Sequence, residues 1–126
     1  MLKKAALAFG IVFLLIGILG FVPGATQTVN GMPMLLGIFH VNAAHNVVHL
    51  LSGAAALLCA GSVPAARTYF RIFGVVYALV AILGFFAGDG LLLGLISNNM
   101  ADVWLHVLIA AVSLFLGFAA DRAVAT

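Results

Sequence analysis

The sequence contains few charged residues: among 126 residues, five are Lys or Arg and three are Asp or Glu. A soluble domain normally carries about 25% charged and about 45–50% apolar residues, whereas 66% of this chain is apolar. This scarcity excludes a soluble globular domain, a disordered tail and a nucleic-acid-binding protein. The formal net charge of +2 is also too small for a basic binding patch. The partner that this composition predicts is the lipid bilayer.

Cysteine and enzyme motifs are also scarce. The single cysteine, Cys59, excludes an internal disulfide. The 14 glycines form no phosphate-binding loop, and no Ser/His/Asp arrangement typical of a nucleophilic enzyme is visible. These absences favour a non-enzymatic protein, although the sequence leaves catalysis open.

Long apolar stretches are what the sequence has in abundance. A membrane-spanning helix needs ~20 mostly apolar residues, and four such stretches are separated by Gly- and Pro-containing turn signals. They run over residues 5–22, 42–60, 68–87 and 99–120. Because they cover well over half the chain, we expect an all-α membrane protein whose single domain, residues 1–126, is a bundle of four transmembrane helices.

The distribution of the cations predicts the orientation. Lys and Arg occur near both termini and around the middle connection, whereas residues 22–41 and 87–100 contain neither. The cations are Lys3, Lys4, Arg67, Arg71 and Arg122. Cytoplasmic loops carry the excess of Lys and Arg, so we expect both termini in the cytoplasm and the two uncharged connections outside. We also expect the first stretch to remain as a helix rather than to be removed as a signal peptide.

The two halves of the sequence resemble each other. The segment 10–13, Gly-Ile-Val-Phe, matches 74–77, Gly-Val-Val-Tyr, at an offset of 64 residues, and later positions match at an offset of 57. The later pairs are Asn42 with Asn99, His45 with Asp102, and His49 with His106. The matches predict two tandem repeats, about 5–60 and 68–120. Because each repeat crosses the membrane and returns, the two hairpins should be parallel.

Polar residues cluster where the second and fourth helices should begin. Asn42 and Asn99 are suited to be N-caps. His45 and His49 are four residues apart and share a helix face, and so do Asp102 and His106. Small residues follow on the same faces and predict that helices two and four touch; they include Gly53, Ala56, Ala110 and Ser113. The His/Asp cluster would then converge at the outer end of that contact. His40 has Ser97 at its matched position and is expected to be a loop histidine.

Three imidazoles and one carboxylate are typical ligands of zinc, and they also suit iron or copper. The sequence therefore predicts a transition-metal site formed by His45, His49, Asp102 and His106. Two alternatives stay open: a structural hydrogen-bond network, and a small accessory subunit whose histidines hold a redox cofactor, haem or a pigment. The network would also include Asn42, Asn46 and Asn99. Without a metal, we expect Asp102 to accept a hydrogen bond from His45 or His106.

Two segments resemble a known family. The first is 37–50, Gly-Ile-Phe-His-Val-Asn-Ala-Ala-His-Asn-Val-Val-His-Leu, and the second is 102–106, Asp-Val-Trp-Leu-His. Both are similar to signatures of a bacterial membrane family known as domain of unknown function 4383. The resemblance covers nearly the whole chain and implies four helices in the bacterial inner membrane, without an assigned activity. A homo-oligomer and a larger membrane complex are both compatible with it.

Overall fold

The computed structural model describes residues 1–120, which form four α-helices and two small antiparallel sheets. The helices are α1 (Leu2–Leu19), α2 (Ala43–Cys59), α3 (Val63–Ala87) and α4 (Met100–Leu114), and a π-helical segment, Phe115–Ala119, continues α4. The first sheet contains β1 (Thr26–Val29), β2 (Met32–Leu35) and β3 (Phe39–His40); the second contains β4 (Leu91–Leu92) and β5 (Ile96–Ser97). The mostly helical architecture was predicted, whereas the sheets were not. Arg122, used above to predict the orientation, lies outside the described residues.

Three helical segments are long and apolar enough to cross a membrane: Leu2–Leu19, Val63–Ala87 and Met100–Ala119. Helix α2 has 17 residues and is a shorter apolar helix. Large apolar side chains cover the outer surface; Leu58 is 84% exposed and Phe86 is 88% exposed. Exposing this much apolar surface to water is unfavourable, so the helices suit contact with a bilayer. The number of crossings stays a prediction.

Glycines allow the helices to pack closely in two hairpins. A Cβ atom added to Gly53 of α2 would lie 2.9 Å from the carbonyl oxygen of Gly10 in α1. Gly74 of α3 packs in the same way against Leu114 of α4, and Gly117 packs against Arg71 of α3. The absent side chains let the helix backbones approach closely. The extensive contacts of the bundle are therefore those of α1 with α2 and of α3 with α4.

The predicted contact of α2 with α4 along their small residues is wrong. Gly53 faces α1, and Ala56 and Ala110 pack into apolar clusters that include α1 and α3. Ala56 lies in the cluster with Ala6 and Phe70, and Ala110 lies with Phe13 and Tyr77. The reason is that Gly10 of α1 and Gly74 of α3 allow close approach within each hairpin, whereas Ala56 and Ala110 pack against residues of both hairpins. In the described chain, α2 and α4 meet through side chains near their N-terminal ends.

The sheets lie at those N-terminal ends. Strand β3 leads into α2 and strand β5 leads into α4. Two residues in the left-handed region precede each of these strands, with φ of 54° and 71° at Leu36-Gly37 and of 55° and 70° at Leu93-Gly94. The two helices are thus entered through turns of the same backbone conformation.

Asn42 and Asn99 connect the two halves as well as capping their helices. The Oδ1 atom of Asn42 accepts a hydrogen bond from the backbone of His45 (2.8 Å), and that of Asn99 accepts one from Asp102 (2.9 Å). The Nδ2 group of Asn42 donates to the carbonyl oxygen of Leu95, and that of Asn99 donates to Ile38, both at 3.0 Å. Each cap therefore reaches the turn of the other half, and this reciprocal pair holds the N-terminal ends of α2 and α4 together.

Candidate metal centre

Three histidines converge between the helices. His45 and His49 come from successive turns of α2, and His106 comes from α4. One ring nitrogen from each lies within 4.8 Å of those of the other two. The rings are 2%, 3% and 4% exposed, respectively, and the centroids of His45 and His49 are 4.6 Å apart. The structure thus forms a compact, buried imidazole cluster.

Most nitrogens of this cluster have no hydrogen-bond partner within the described part of the protein. They are Nε2 of His45, both ring nitrogens of His49, and Nδ1 of His106. Buried polar atoms in proteins are nearly always paired, because each unpaired one costs about 1–3 kcal/mol. The cluster therefore has the donor set of a ligand site.

Ser97 fixes the orientation of the His45 ring. The Ser97 hydroxyl donates its hydrogen to the carbonyl oxygen of His40 (3.1 Å), and its oxygen lies 3.2 Å from Nδ1 of His45. A hydroxyl has one hydrogen to donate, so Nδ1 of His45 must be the donor to Ser97. In the neutral ring, the lone pair is then on Nε2, the nitrogen that has no partner.

Aromatic rings enclose the cluster on the side away from the sheets. Phe13 stacks on His49 with centroids 5.8 Å apart, and Tyr77 lies 5.5 Å from His106. Phe13 and Tyr77 stack on each other at 5.7 Å with an interplanar angle of 9°. These contacts restrict the imidazole rotamers and separate the cluster from the remaining core.

Asp102 is buried, and its carboxylate caps the N-terminal end of α4. Its Oδ2 atom accepts a hydrogen bond from the backbone N–H of Asn99 (3.0 Å), which completes a capping box with the Asn99 side chain. Contrary to the expectation, no hydrogen bond from His45 or His106 to Asp102 occurs among the described residues, and the carboxylate bonds to its own helix cap. Asp102 is not in the group within 4.8 Å. It does line a cavity of about 170 Å³ together with His45 and His49.

The sequence profile of a domain of unknown function, DUF4383, matches residues 3–119. The chain belongs to the DUF4383 family. This match confirms the family resemblance inferred from the two segments that carry His45, His49 and His106. No curated protein and no solved structure matches the chain.

The other predicted polar residues of this DUF4383 chain lie around the histidines. Asn46 packs against Gly20, directly after α1, where even one Cβ atom would collide with its side chain. His40 is buried in β3, with Nδ1 3.4 Å from the carbonyl oxygen of Asn98. It is outside the group of three.

Sequence reasoning missed two residues, Ser97 and Asn98. Ser97 orients His45, and the Asn98 side chain donates to the carbonyl oxygens of Gly84 (3.0 Å) and Gly88 (2.8 Å) at the end of α3. Both are about 1% exposed. The available signal was their position in the two residues before the cap Asn99, with Ser97 matched to His40 in the other half of the DUF4383 domain.

Proposed function

We propose that this protein is a non-enzymatic, multi-pass membrane protein that binds a divalent transition metal on His45, His49 and His106. The observation that carries this proposal is the set of unpartnered nitrogens on three buried rings, with ligand atoms within 4.8 Å of one another. Zinc binds imidazole nitrogen at about 2.0–2.1 Å in tetrahedral sites, so ring rotations that bring the three nitrogens closer would let them act as three of the four ligands of one ion. Iron and copper also accept imidazole ligands.

The hydrogen bond of His45 supports the same function. Metal-binding histidines usually donate their second ring N–H to a nearby oxygen, which fixes the tautomer and the ring orientation. The Nδ1 group of His45 does this with Ser97, and Nε2 is left to bind. A purely structural network is less well supported, because it would pair the nitrogens that remain unpartnered.

Asp102 would contribute charge to this site. A divalent ion on three neutral imidazoles keeps its charge, and a buried uncompensated charge is costly. Asp102 shares the 170 Å³ cavity with His45 and His49, and it brings the negative charge to that place. To become the fourth ligand, as the sequence predicts, its Oδ2 atom would have to leave the backbone of Asn99. We therefore propose three imidazole ligands with Asp102 as the charge partner.

We further propose four crossings of a bacterial inner membrane, with both termini in the cytoplasm. The support is that Lys3, Lys4, Arg67 and Arg71 lie on helix segments remote from the sheets. Two tandem parallel hairpins are supported by the matched left-handed turns and by the reciprocal bonds of Asn42 and Asn99.

Elemental analysis of detergent-purified protein, loaded with zinc and then dialysed, tests the metal proposal. We expect stoichiometric zinc in the wild type and in His40→Ala, whose side chain is outside the cluster. The double variant His49→Ala/His106→Ala should lose the zinc, because it removes two ligands. Zinc retained by the double variant, or absent from the wild type after loading with zinc, iron or copper, would overturn the proposal.

A visible absorption spectrum of the same sample tests the alternative of an accessory subunit of a larger complex. A haem or pigment absorbs strongly, whereas zinc does not. This alternative would be favoured if the purified protein is coloured and contains no zinc, iron or copper other than the metal of the chromophore.

A further inference from the structure

A cleft of about 410 Å³ lies between α2 and α3. Its lining is almost wholly apolar, and it opens where Leu51 and Val76 are 65% and 44% exposed. The imidazoles of His45, His49 and His106 lie at one end. A molecule dissolved in the bilayer can therefore reach this cleft from the side, with its polar part toward the histidines.

The chain contains a second cleft, of about 270 Å³, between α1 and α4. The matched offsets of the sequence relate the two: Val12 corresponds to Val76, and Phe13 to Tyr77. The lining residues differ where they would meet a polar group. Tyr77 and Ser52 of the first cleft are replaced by Phe13 and Ile109 in the second. The second cleft is thus an apolar counterpart within the same molecule.

Tyr77 and Ser52 provide a hydrogen-bond donor inside the first cleft. Their hydroxyl oxygens are 3.0 Å apart, and either can be the donor. Two hydroxyls have two hydrogens, and their mutual bond uses one. One O–H therefore remains for a ligand, beside His49, whose nitrogens are unpartnered and whose ring is 3% exposed.

We propose that the cleft between α2 and α3 binds a membrane-soluble quinone. Its ring lies among Phe73, Tyr77 and His49, which line the cleft, and its carbonyl oxygens accept hydrogen bonds from the hydroxyl pair and an imidazole. Its apolar tail leaves past Leu51 and Val76 into the lipid. The volume lies within the ~300–1,000 Å³ of small-molecule sites, and a mostly apolar lining with a few polar groups is typical of them. This site goes beyond the proposed metal function and does not require it.

Equilibrium binding of a decyl-substituted benzoquinone to the chelator-treated protein in lipid nanodiscs tests the proposal. We expect saturable binding of the quinone and none of decylbenzene, which has the tail but no carbonyl groups. Val76→Phe should weaken binding by about tenfold or more, since the ring fills the cleft. The matched variant Val12→Phe fills the counterpart cleft and should bind within about twofold of the wild type.

A second variant tests the polar contact. Tyr77→Phe with Ser52→Ala removes both hydroxyls while keeping the shape of the cleft, and it should also weaken quinone binding. Three results would each overturn the proposal. They are quinone binding that does not saturate, equal binding of decylbenzene, and equal effects of Val76→Phe and Val12→Phe. Because these measurements use metal-free protein, they fail or succeed independently of zinc loading.

Discussion

At the scale of single residues, the absence of a side chain is decisive at Gly53. A Cβ atom there would lie 2.9 Å from both the carbonyl oxygen of Gly10 and the backbone nitrogen of Leu14. Backbone atoms cannot move aside as a flexible side chain can. The approach of α1 to α2 therefore depends on this position having no side chain.

We predict that Gly53→Ala lowers the free energy of unfolding by about 1–3 kcal/mol, the usual cost of overpacking a close contact. Thermal unfolding in detergent is the measurement. Gly61→Ala is the matched control, because nothing lies within 4 Å of a Cβ atom at Gly61. Equal melting temperatures of the two variants would contradict the close packing of α1 on α2.

Asp102 permits a second prediction at this scale. Asp102→Asn keeps an oxygen that can accept from the Asn99 backbone but removes the negative charge beside the histidines. We expect little change in thermal stability and about tenfold weaker zinc binding, since changes outside the ligand set typically cost 10–100-fold in affinity. Complete loss of zinc would instead identify Asp102 as a ligand.

The grouping of the histidines could be predicted from the sequence more fully than their hydrogen-bond partners. The i, i+4 spacing of His45 and His49 is a local pattern, and a helix converts it into a shared face. The hydrogen bond from His45 to Ser97 joins residues 52 positions apart, so no local pattern contains it. For Asp102 the local signal was visible, because Asn followed three residues later by Asp is typical of a capped helix. The prediction nevertheless paired this carboxylate with the histidines.

At the scale of elements, the Asn caps of α2 and α4 have a role that an ordinary cap lacks. Ser62 caps α3 through one hydrogen bond to the backbone of Ala65. Asn99 makes the equivalent bond and also donates to Ile38 in the other half of the molecule. Helix capping and the joining of the two halves therefore depend on the same side chain.

We predict that Asn99→Ala is more destabilising than Ser62→Ala. Loss of a cap alone costs about 0.5–2 kcal/mol, and Asn99→Ala also removes the bond to Ile38. Chemical denaturation in detergent compares the two variants. A smaller effect for Asn99→Ala than for Ser62→Ala would show that the bond between the halves does not stabilise the fold.

Of the two sheets, only the first could have been predicted from the sequence. The turn between β1 and β2 contains Asn30 and Gly31, both with positive φ (53° and 79°). Asn-Gly is the strongest short-range hairpin signal, so this sheet was accessible from sequence. Strands β4 and β5 have two residues each. Runs this short have no period, and the helix ends that they join determine their pairing.

At the scale of the whole molecule, the helix hairpins were predictable because long apolar runs and turn signals are local. Which small-residue faces meet was not predictable, because such residues occur on several faces of the helices. The glycines of α1 and α3 were the missing signal.

The predicted orientation can be measured by cysteine labelling of intact cells in a Cys59→Ala background. Cysteines at Thr28 and Asp89, which are exposed in the connections that contain the sheets, should react with an impermeant reagent. A cysteine at Lys4, also exposed, should react only after the membrane is permeabilised, because cations favour the cytoplasmic side. The reverse pattern would invert the topology.

In the proposed topology of four crossings, the short helix α2 has a consequence for the thickness of the surrounding membrane. At 1.5 Å per residue its 17 residues span about 25 Å, less than the ~30 Å hydrocarbon core of a typical bilayer. Extended chain next to α2 then lies near the hydrocarbon boundary, where backbone groups need internal partners. The pairing of β2 with β3 provides them. Lipids with shorter acyl chains should match α2 better than long ones, whereas the 25-residue α3 can tilt to fit a thin bilayer. The protein should therefore melt at a higher temperature in thin bilayers than in thick ones.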